Sequence, residues 1–502
     1  MTTIVRKIAM TVAFAVALLW PAFVNGGAFW FPDTSTYIRG ADAAVVFATG
    51  QRSEWSDRLA VEPPVPDATA NPMASSETSM SAVQPTRPVL SGRSIYYGFI
   101  IYLPMLAFGP WGAIGLQALI VASVLAFCTT VISRERRLPG WAGGAGAAVL
   151  VLATPLPFYT TMLMPDVYSG MLVAIAAVAA CLWHRLSGAE RVGMALAAGA
   201  MASFHTSHIL LLIGVAGTAL VFHRFIGGWW GAAIVGTSSL VLAVLSSAAF
   251  SIAIERSLGQ PPISPPFLSA RMASGPAGME YLARRCADEP DTLELCRHLD
   301  KLPLHSDSFL WSENPETGVF QHLSGEEQRR MASEDKRLFL SVMATDPLGF
   351  AAATSAASLE QLTLFDLANF NHSIMSNDRL PGAFPLPIAE QISVTRTATQ
   401  SMPTRIPVVL SIGSTLVAVA IMVLAVAKAA TVRGALASPL MWFCVLLVAG
   451  VLANAVICGA LSGPHARYQM RLIWLLPFAA TVASALLLHQ ASIARRPDEK
   501  AA

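Results

Sequence analysis

Charge is scarce in this 502-residue chain: Asp, Glu, Lys and Arg together make up 13% of it, against 54% hydrophobic residues. With a mean hydropathy of +0.55, that excludes an ordinary soluble globule and fits a polytopic membrane protein. The net charge is only +2, so no global field points to nucleic acid or to an acidic partner. Familiar catalytic motifs are missing as well. No G-x-S-x-G, P-loop, H-E-x-x-H or post-strand G-x-G-x-x-G occurs, which removes the usual hydrolase, NTPase, zincin and dinucleotide readings. Cysteine is sparse, six residues with no C-x-x-C. Cys128, Cys181, Cys444 and Cys458 fall in apolar runs, whereas Cys286 and Cys296 share a loop. The loop pair is expected to form a disulfide, two free thiols in a small core being the alternative.

What the chain does have is long apolar runs, at 8–24, 111–132, 141–158, 167–183, 229–254, 406–427, 440–460 and 472–488. A helix needs about 20 apolar residues to cross a bilayer, and lipid tolerates no unpaired backbone, so each run reads as a spanning helix. The first has a basic start, Arg6 and Lys7, but "PAFVNGGAF" offers no A-x-A-like cleavage site, so it is expected to remain as a helix. The run 192–222 is interrupted by "SFHTSH" and flanked by Arg191 and Arg224. Basic loops favour the cytoplasm, which makes it two short helices meeting at His205 to His208 on the outer side.

The resulting expectation is an all-α polytopic membrane protein with about ten transmembrane helices and both termini cytoplasmic. Arg134, Arg136 and Arg137, Arg185 and Arg191, Arg224, Lys428 and Arg433, and Arg495 and Arg496 then all lie inside. The piece 95–108 must not cross, and reads as interfacial or re-entrant. Three regions follow: a membrane core 1–254 with an outer loop 25–92, an extracytoplasmic loop domain 255–405 of mainly helical and irregular structure, and C-terminal membrane helices with a short tail, 406–502. The outer loop is rich in Pro, Ser and Thr over 61–88 and reads as mostly irregular. In the loop domain "LSGEEQ" is a capping box, Ser324 to Glu327, and "TDPLGF" opens a second helix with Asp346 as N-cap. That second helix, about 348–367, is apolar enough to lie on the membrane surface.

This topology gathers unusual polar residues on one face. They are Asp33, Tyr37 and Arg39 after the first helix, Arg93 with Tyr96 and Tyr97, Asp166 in "MLMPDVYSG", His205 and His208, and Arg467, Tyr468 and Arg471 in "HARYQMRLIW". Ionisable groups at the bilayer edge are expensive and tend to be functional. Each also has a plainer reading: Asp33 and Asp166, both after proline, fit helix N-caps. The histidines fit turn punctuation, since two His without a third ligand make a weak zinc set. Arg467, Tyr468 and Arg471 fit headgroup anchors. Together they offer a carboxylate base, a second carboxylate, and arginines suited to phosphate.

The pattern of "PDTSTY", "GRSIYYGF", "MPDVYSG" and the late "RY" resembles the GT-C superfamily of membrane glycosyltransferases, which includes protein O-mannosyltransferases and the aminoarabinose transferases of lipid A. The resemblance covers about the first 260 residues and the last 100; no family motif matches within 255–405. It implies inverting transfer of a sugar from a polyprenyl-phosphate-linked donor to a lipid, glycan or protein acceptor at the outer side of a plasma membrane, in a bacterium the periplasmic side. Asp33 would correspond to the first-loop acid and Arg467 to the group facing donor phosphate, with Asp166 as a second acid. Tyr37, Arg93, His205, His208, Tyr468 and Arg471 complete the expected substrate site. Many relatives carry two adjacent acids where this chain has Asp33 followed by Thr34, so no cofactor is expected and a divalent cation is not favoured. The competing readings are a transporter or flippase of a lipid-linked or anionic substrate, and a surface-polysaccharide polymerase or assembly protein.

Overall fold

A computed structural model describes residues 3–57, 89–136, 140–372, 383–431 and 438–494. The Pro-, Ser- and Thr-rich part, 61–88, of the outer loop 25–92 that is expected to be irregular, and Arg137, Arg433, Arg495 and Arg496, lie outside the described residues. Among the described residues there is no named strand, only isolated bridges at Phe29 with Met162 and Leu90 with Ile263. Seven helical segments are long and apolar enough to cross a membrane: Ile4–Asn25, Ile95–Glu135, Asp166–Arg185, Trp229–Leu258, Arg405–Thr431, Pro439–Leu461 and Ala466–Leu488. The chain is an all-α integral membrane protein.

The N-terminal half runs α1 (Thr3–Leu18), α2 (Trp20–Asn25), α3 (Thr34–Thr49), α4 (Glu54–Asp57), α5 (Ile95–Glu135), α6 (Gly140–Leu152), α7 (Leu156–Thr161), α8 (Asp166–Leu182), α9 (Gly188–Ala202), α10 (Thr206–Val221) and α11 (Trp229–Leu258). Helix α8 is the hub. Every residue of it is buried, as expected of a helix apolar on all sides, and small residues let its neighbours approach. Gly170 faces the Trp474 indole, and Gly450 and Gly231 lie against Val173 and the Ala179 carbonyl. The apolar side chains of Val409, Leu416, Val417 and Val423 on the later span Arg405–Thr431 are exposed, as a lipid-facing surface requires.

Two segments differ from the sequence reading. Within the stretch expected to be irregular, α3 forms an ordered helix whose Tyr37, Ile38, Ala41 and Asp42 are buried. The piece 95–108 is continuous with the second spanning run as α5, interrupted only at Gly109, where φ is 65° and ψ is −165°. At 1.5 Å per residue, the 41 residues of α5 would reach roughly 60 Å if straight, twice a hydrocarbon core. Its first part instead packs on α3: Tyr97, Ile101 and Tyr102 are buried, and a Cβ at Gly98 would run into the Tyr37 carbonyl oxygen. Gly98→Val is therefore expected to destabilise the protein by about 1–3 kcal/mol through overpacking. Thermal unfolding in detergent should show this, and an unchanged midpoint would mean α3 is free to move.

The second half continues with α12 (Phe267–Ser274), α13 (Pro276–Asp288), α14 (Ser306–Trp311), α15 (Gly325–Thr345), α16 (Pro347–Thr363), α17 (Leu386–Ser393), α18 (Arg405–Thr431), α19 (Pro439–Leu461), α20 (Ala466–Ile473) and α21 (Leu475–Ala494). Residues 263–342 build a second core around Phe309, Phe320, Leu282 and Leu338, within which Cys286 and Cys296 are joined in a disulfide. Ser324 and Glu327 make the reciprocal capping box, and the Asp346 carboxylate accepts from the Gly349 amide at 2.9 Å. Helix α16 turns 107° from α15 and docks on α19, with Ser358 against Gly459. Residues 367–372 and 383–402 join the core of the membrane helices: Phe370 contacts the rings of Phe29, Phe158 and Tyr159, and Phe384 those of Trp30 and Trp55.

Candidate functional site

Two similar stretches, "FPD" ending at Asp33 and "MPD" ending at Asp166, lead into α3 and α8. They are laid side by side. The Phe29 amide donates to the Thr161 carbonyl at 3.0 Å, the Leu163 amide to the Phe29 carbonyl at 2.9 Å, and the Thr34 hydroxyl to the Leu163 carbonyl at 3.0 Å. From within the bundle, the buried Gln117 amide braces the second stretch by donating to the Thr160 and Met162 carbonyls, both at 2.8 Å, while it accepts from the Tyr97 hydroxyl. Both acids are thus set by a backbone clamp between distant parts of the chain.

Neither carboxylate caps its helix. Asp33 stands at the N-cap position of α3 but makes no capping bond; its Oδ1 lies 2.7 Å from Arg93 Nη2 in an ion pair with side chains 23% and 17% exposed. Asp166 is the first residue of α8, where the helix N-terminus favours an anion. It is enclosed by Arg467 Nε at 3.5 Å and Arg471 Nη1 at 3.4 Å. The Arg467 guanidinium stacks over the Phe31 ring at 4.2 Å, and those of Arg467 and Arg471 lie over Tyr468 at 5.3 and 4.9 Å. Asn454, in mid-span, accepts from Arg471 Nη2 at 3.1 Å and donates to the Tyr468 carbonyl.

The two carboxylate centres share a field. Tyr37, buried between them, is within electrostatic reach of Arg93, Asp33, Asp166 and Arg467, and burial raises its phenol above the ordinary range. Its ring meets Tyr97 edge-on at 5.1 Å, and Tyr97, Tyr168 and Phe204 continue the aromatic wall toward α10. His205 caps α10 through Nδ1, which accepts from the Ser207 amide. His208 is fully buried, with Nδ1 2.7 Å from the Met201 carbonyl. A carbonyl partner requires a proton on Nδ1. Arg471 and Asp166 lie within electrostatic reach of His208, and Arg93 and Arg467 within that of His205. Asp33, Tyr37, Arg93, Asp166, His205, His208, Arg467, Tyr468 and Arg471 therefore form one connected cluster at the N-terminal end of α8. Arg39 is not among the contacts that build it.

Buried polar atoms normally find partners. Here Arg467 Nη1, Arg471 Nε, His208 Nε2, Tyr168 Oη and Gln469 Oε1 are buried without a protein partner. Of these, Arg467 Nη1, Arg471 Nε and the Tyr168 hydroxyl can donate to an anion whereas Gln469 Oε1 only accepts, so it is the two guanidiniums that suit the centre to an anionic ligand.

Sequence reasoning passed over Gln117, Asn454, Tyr159 and Tyr168. The first two were visible as polar residues within apolar runs, the others only as aromatics among many. It also passed over Asp42, buried on α3 and taking hydrogen bonds from Ser53, Ser56 and Tyr102 at 2.6, 2.5 and 2.5 Å. Beside the cluster, His465 at the N-cap of α20 pairs with Asp307 at 3.2 Å, and His305 stands against His465 with ring centres 5.3 Å apart. The hydrogen bond from His465 holds the Asp307 carboxyl below the usual carboxylate range, against the opposing effect of burial. Comparison of the chain with protein-family models, with curated proteins and with solved structures returns no match, so functional interpretation rests on the geometry and on the sequence resemblance.

Proposed function

We propose that this protein is a GT-C-like membrane glycosyltransferase that moves a sugar from a polyprenyl-phosphate-linked donor to an acceptor at the extracytoplasmic face. The observation that carries the reading is the buried cationic centre with unpartnered donor atoms at Arg467 and Arg471. A phosphodiester oxygen matches guanidinium donors in charge and in bidentate geometry. The neighbouring Asp33 is the more open of the two acids, which supports it as the general base.

In the proposed step an acceptor hydroxyl oxygen attacks the anomeric carbon and the bond from that carbon to the phosphate oxygen breaks. Polyprenyl phosphate leaves with the electron pair, Asp33 takes the hydroxyl proton, and the anomeric configuration inverts. Arg467 and Arg471 stabilise the charge that grows on the leaving phosphate. Asp166, held between them, orients the two guanidiniums; Arg93 fixes the Asp33 rotamer, and Tyr37 and Tyr468 wall the sugar. Acceptor choice is assigned to the region 255–405.

The topology in this reading has ten crossings: the seven long helices with α6, α9 and α10. Both termini are cytoplasmic, and Arg134, Arg136, Arg185, Arg191, Arg224 and Lys428 lie at inner helix ends or in inner loops. The alternation puts the starts of α8, α10 and α20 and the end of α2 on the outer side, which in a bacterial inner membrane faces the periplasm. Mass spectrometry of lipids co-purifying with the protein should reveal a polyprenyl-phosphate sugar, and Arg467→Ala should lose it. No such lipid on the wild type, together with movement of lipid-linked sugar across proteoliposomes, would favour the transporter.

A further inference from the structure

The side chains of His305, Asp307 and His465 offer two imidazole nitrogens and a carboxylate oxygen that all lie within 4.8 Å of one another. Asp307 Oδ2 and His465 Nε2 are already 3.2 Å apart. Two ligands on a tetrahedral zinc, each about 2.1 Å from the ion, sit about 3.4 Å from each other, so this pair is at ligand spacing. Bringing in the third residue needs at most about 1.4 Å of contraction. His305 Nδ1 accepts from the Asp307 amide, which caps α14 and fixes the ring beside Asp307.

The backbone behind the cluster is rigid. Gln361, fully buried on α16, clamps His465 at two points: its Oε1 accepts from the His465 amide and its Nε2 donates to the His465 carbonyl, both at 2.8 Å. The Ser306 hydroxyl, between the two loop ligands, donates to the Ser462 carbonyl at 3.0 Å. Preset ligands on separately anchored segments are what a metal site needs for affinity.

We propose that His305, Asp307 and His465 bind one divalent transition-metal ion, Zn²⁺ being the match to two histidines and a carboxylate with a fourth position open. The ion ties α14, in the 263–342 core, to the first turn of α20. Two residues beyond His465 that turn carries Arg467, and the His465 ring also meets Tyr468 at 5.3 Å, so the metal positions the cationic centre. The site stands independently of the glycosyltransferase reading, because its ligands and its test do not involve a sugar.

The test uses full-length, tag-free protein in lipid nanodiscs, stripped with chelator and titrated with Zn²⁺ by calorimetry, with metal content checked by plasma mass spectrometry. Wild type should bind one equivalent. Asp307→Asn and His305→Ala, both surface changes, should each weaken binding by at least about 10-fold, the loss already typical of residues that merely support ligands. Co²⁺ in place of Zn²⁺ should give a visible absorption band that His465→Gln removes. A stripped wild type that takes up no Zn²⁺, or variants that bind it as tightly as wild type, would overturn the proposal. Full Zn²⁺ binding by a protein inactive in sugar transfer would count against the proposed function and leave the metal site standing.

Discussion

Asp33→Asn is expected to lower sugar transfer about 100- to 10,000-fold, the usual contribution of a general base, with folding, membrane insertion and donor binding retained. The substitution is nearly isosteric, and the side chain is partly exposed and capless, so no buried network collapses. An asparagine oxygen can still accept from Arg93 at the 2.7 Å seen for the carboxylate. What disappears is the ability to take the acceptor's proton. The loss should therefore fall on kcat, with KM for the donor little changed, because donor phosphate is assigned to Arg467 and Arg471. Single-turnover assays on protein whose thermal midpoint matches wild type make the distinction. Transfer at the wild-type rate would remove Asp33 from the mechanism.

How far these residues could be read from the chain depends on what each one costs. Asp166, Arg467 and Arg471 stand out in sequence because an ionisable group beside an apolar run is expensive wherever the run folds. Helix α3 did not stand out. Its buried face, Tyr37, Ile38, Ala41 and Asp42, has helical spacing, but an aspartate on that face reads as exposed until Ser53, Ser56 and Tyr102 are seen to satisfy it. The capping readings of Asp33 and Asp166 were locally sound, since both follow proline at a helix start. They fail because arginines from distant segments compete for the carboxylates. Helix α16 reads as interfacial from its apolarity. Only the fold shows that its buried polar residue Gln361 has a use, clamping the His465 backbone. The cluster of His305, Asp307 and His465 is invisible to spacing rules, because His465 comes from a segment far from the His305–Asp307 pair and meets it only in the fold.

Removing the charge of Asp166 should have the largest effect on stability. Arg471 and Asp166 are each 3% exposed and Arg467 is 12% exposed. Replacing the acid with alanine leaves two guanidiniums in a protein interior with no carboxylate in contact, a change that costs about 3–5 kcal/mol when a buried pair is broken. Asn454 can still accept from Arg471, but it carries no charge, and Phe31 and Tyr468 offer Arg467 only ring faces. The expected outcome for Asp166→Ala is poor yield and a strongly lowered midpoint in detergent. Arg471→Met should be milder, because Asp166 keeps Arg467 as a partner. In the double variant the deficits should fall short of additive, since each change removes the reason for the other's cost. An anion test then separates a structural ion pair from a ligand site. If the two arginines serve a phosphate, a soluble polyprenyl-phosphate analogue should restore part of the midpoint of Asp166→Asn, by about 2.7 kcal/mol at 100 times its dissociation constant. A loss below about 1 kcal/mol in Asp166→Ala would mean that water reaches the guanidiniums freely, and the buried anion-binding centre would have to be abandoned.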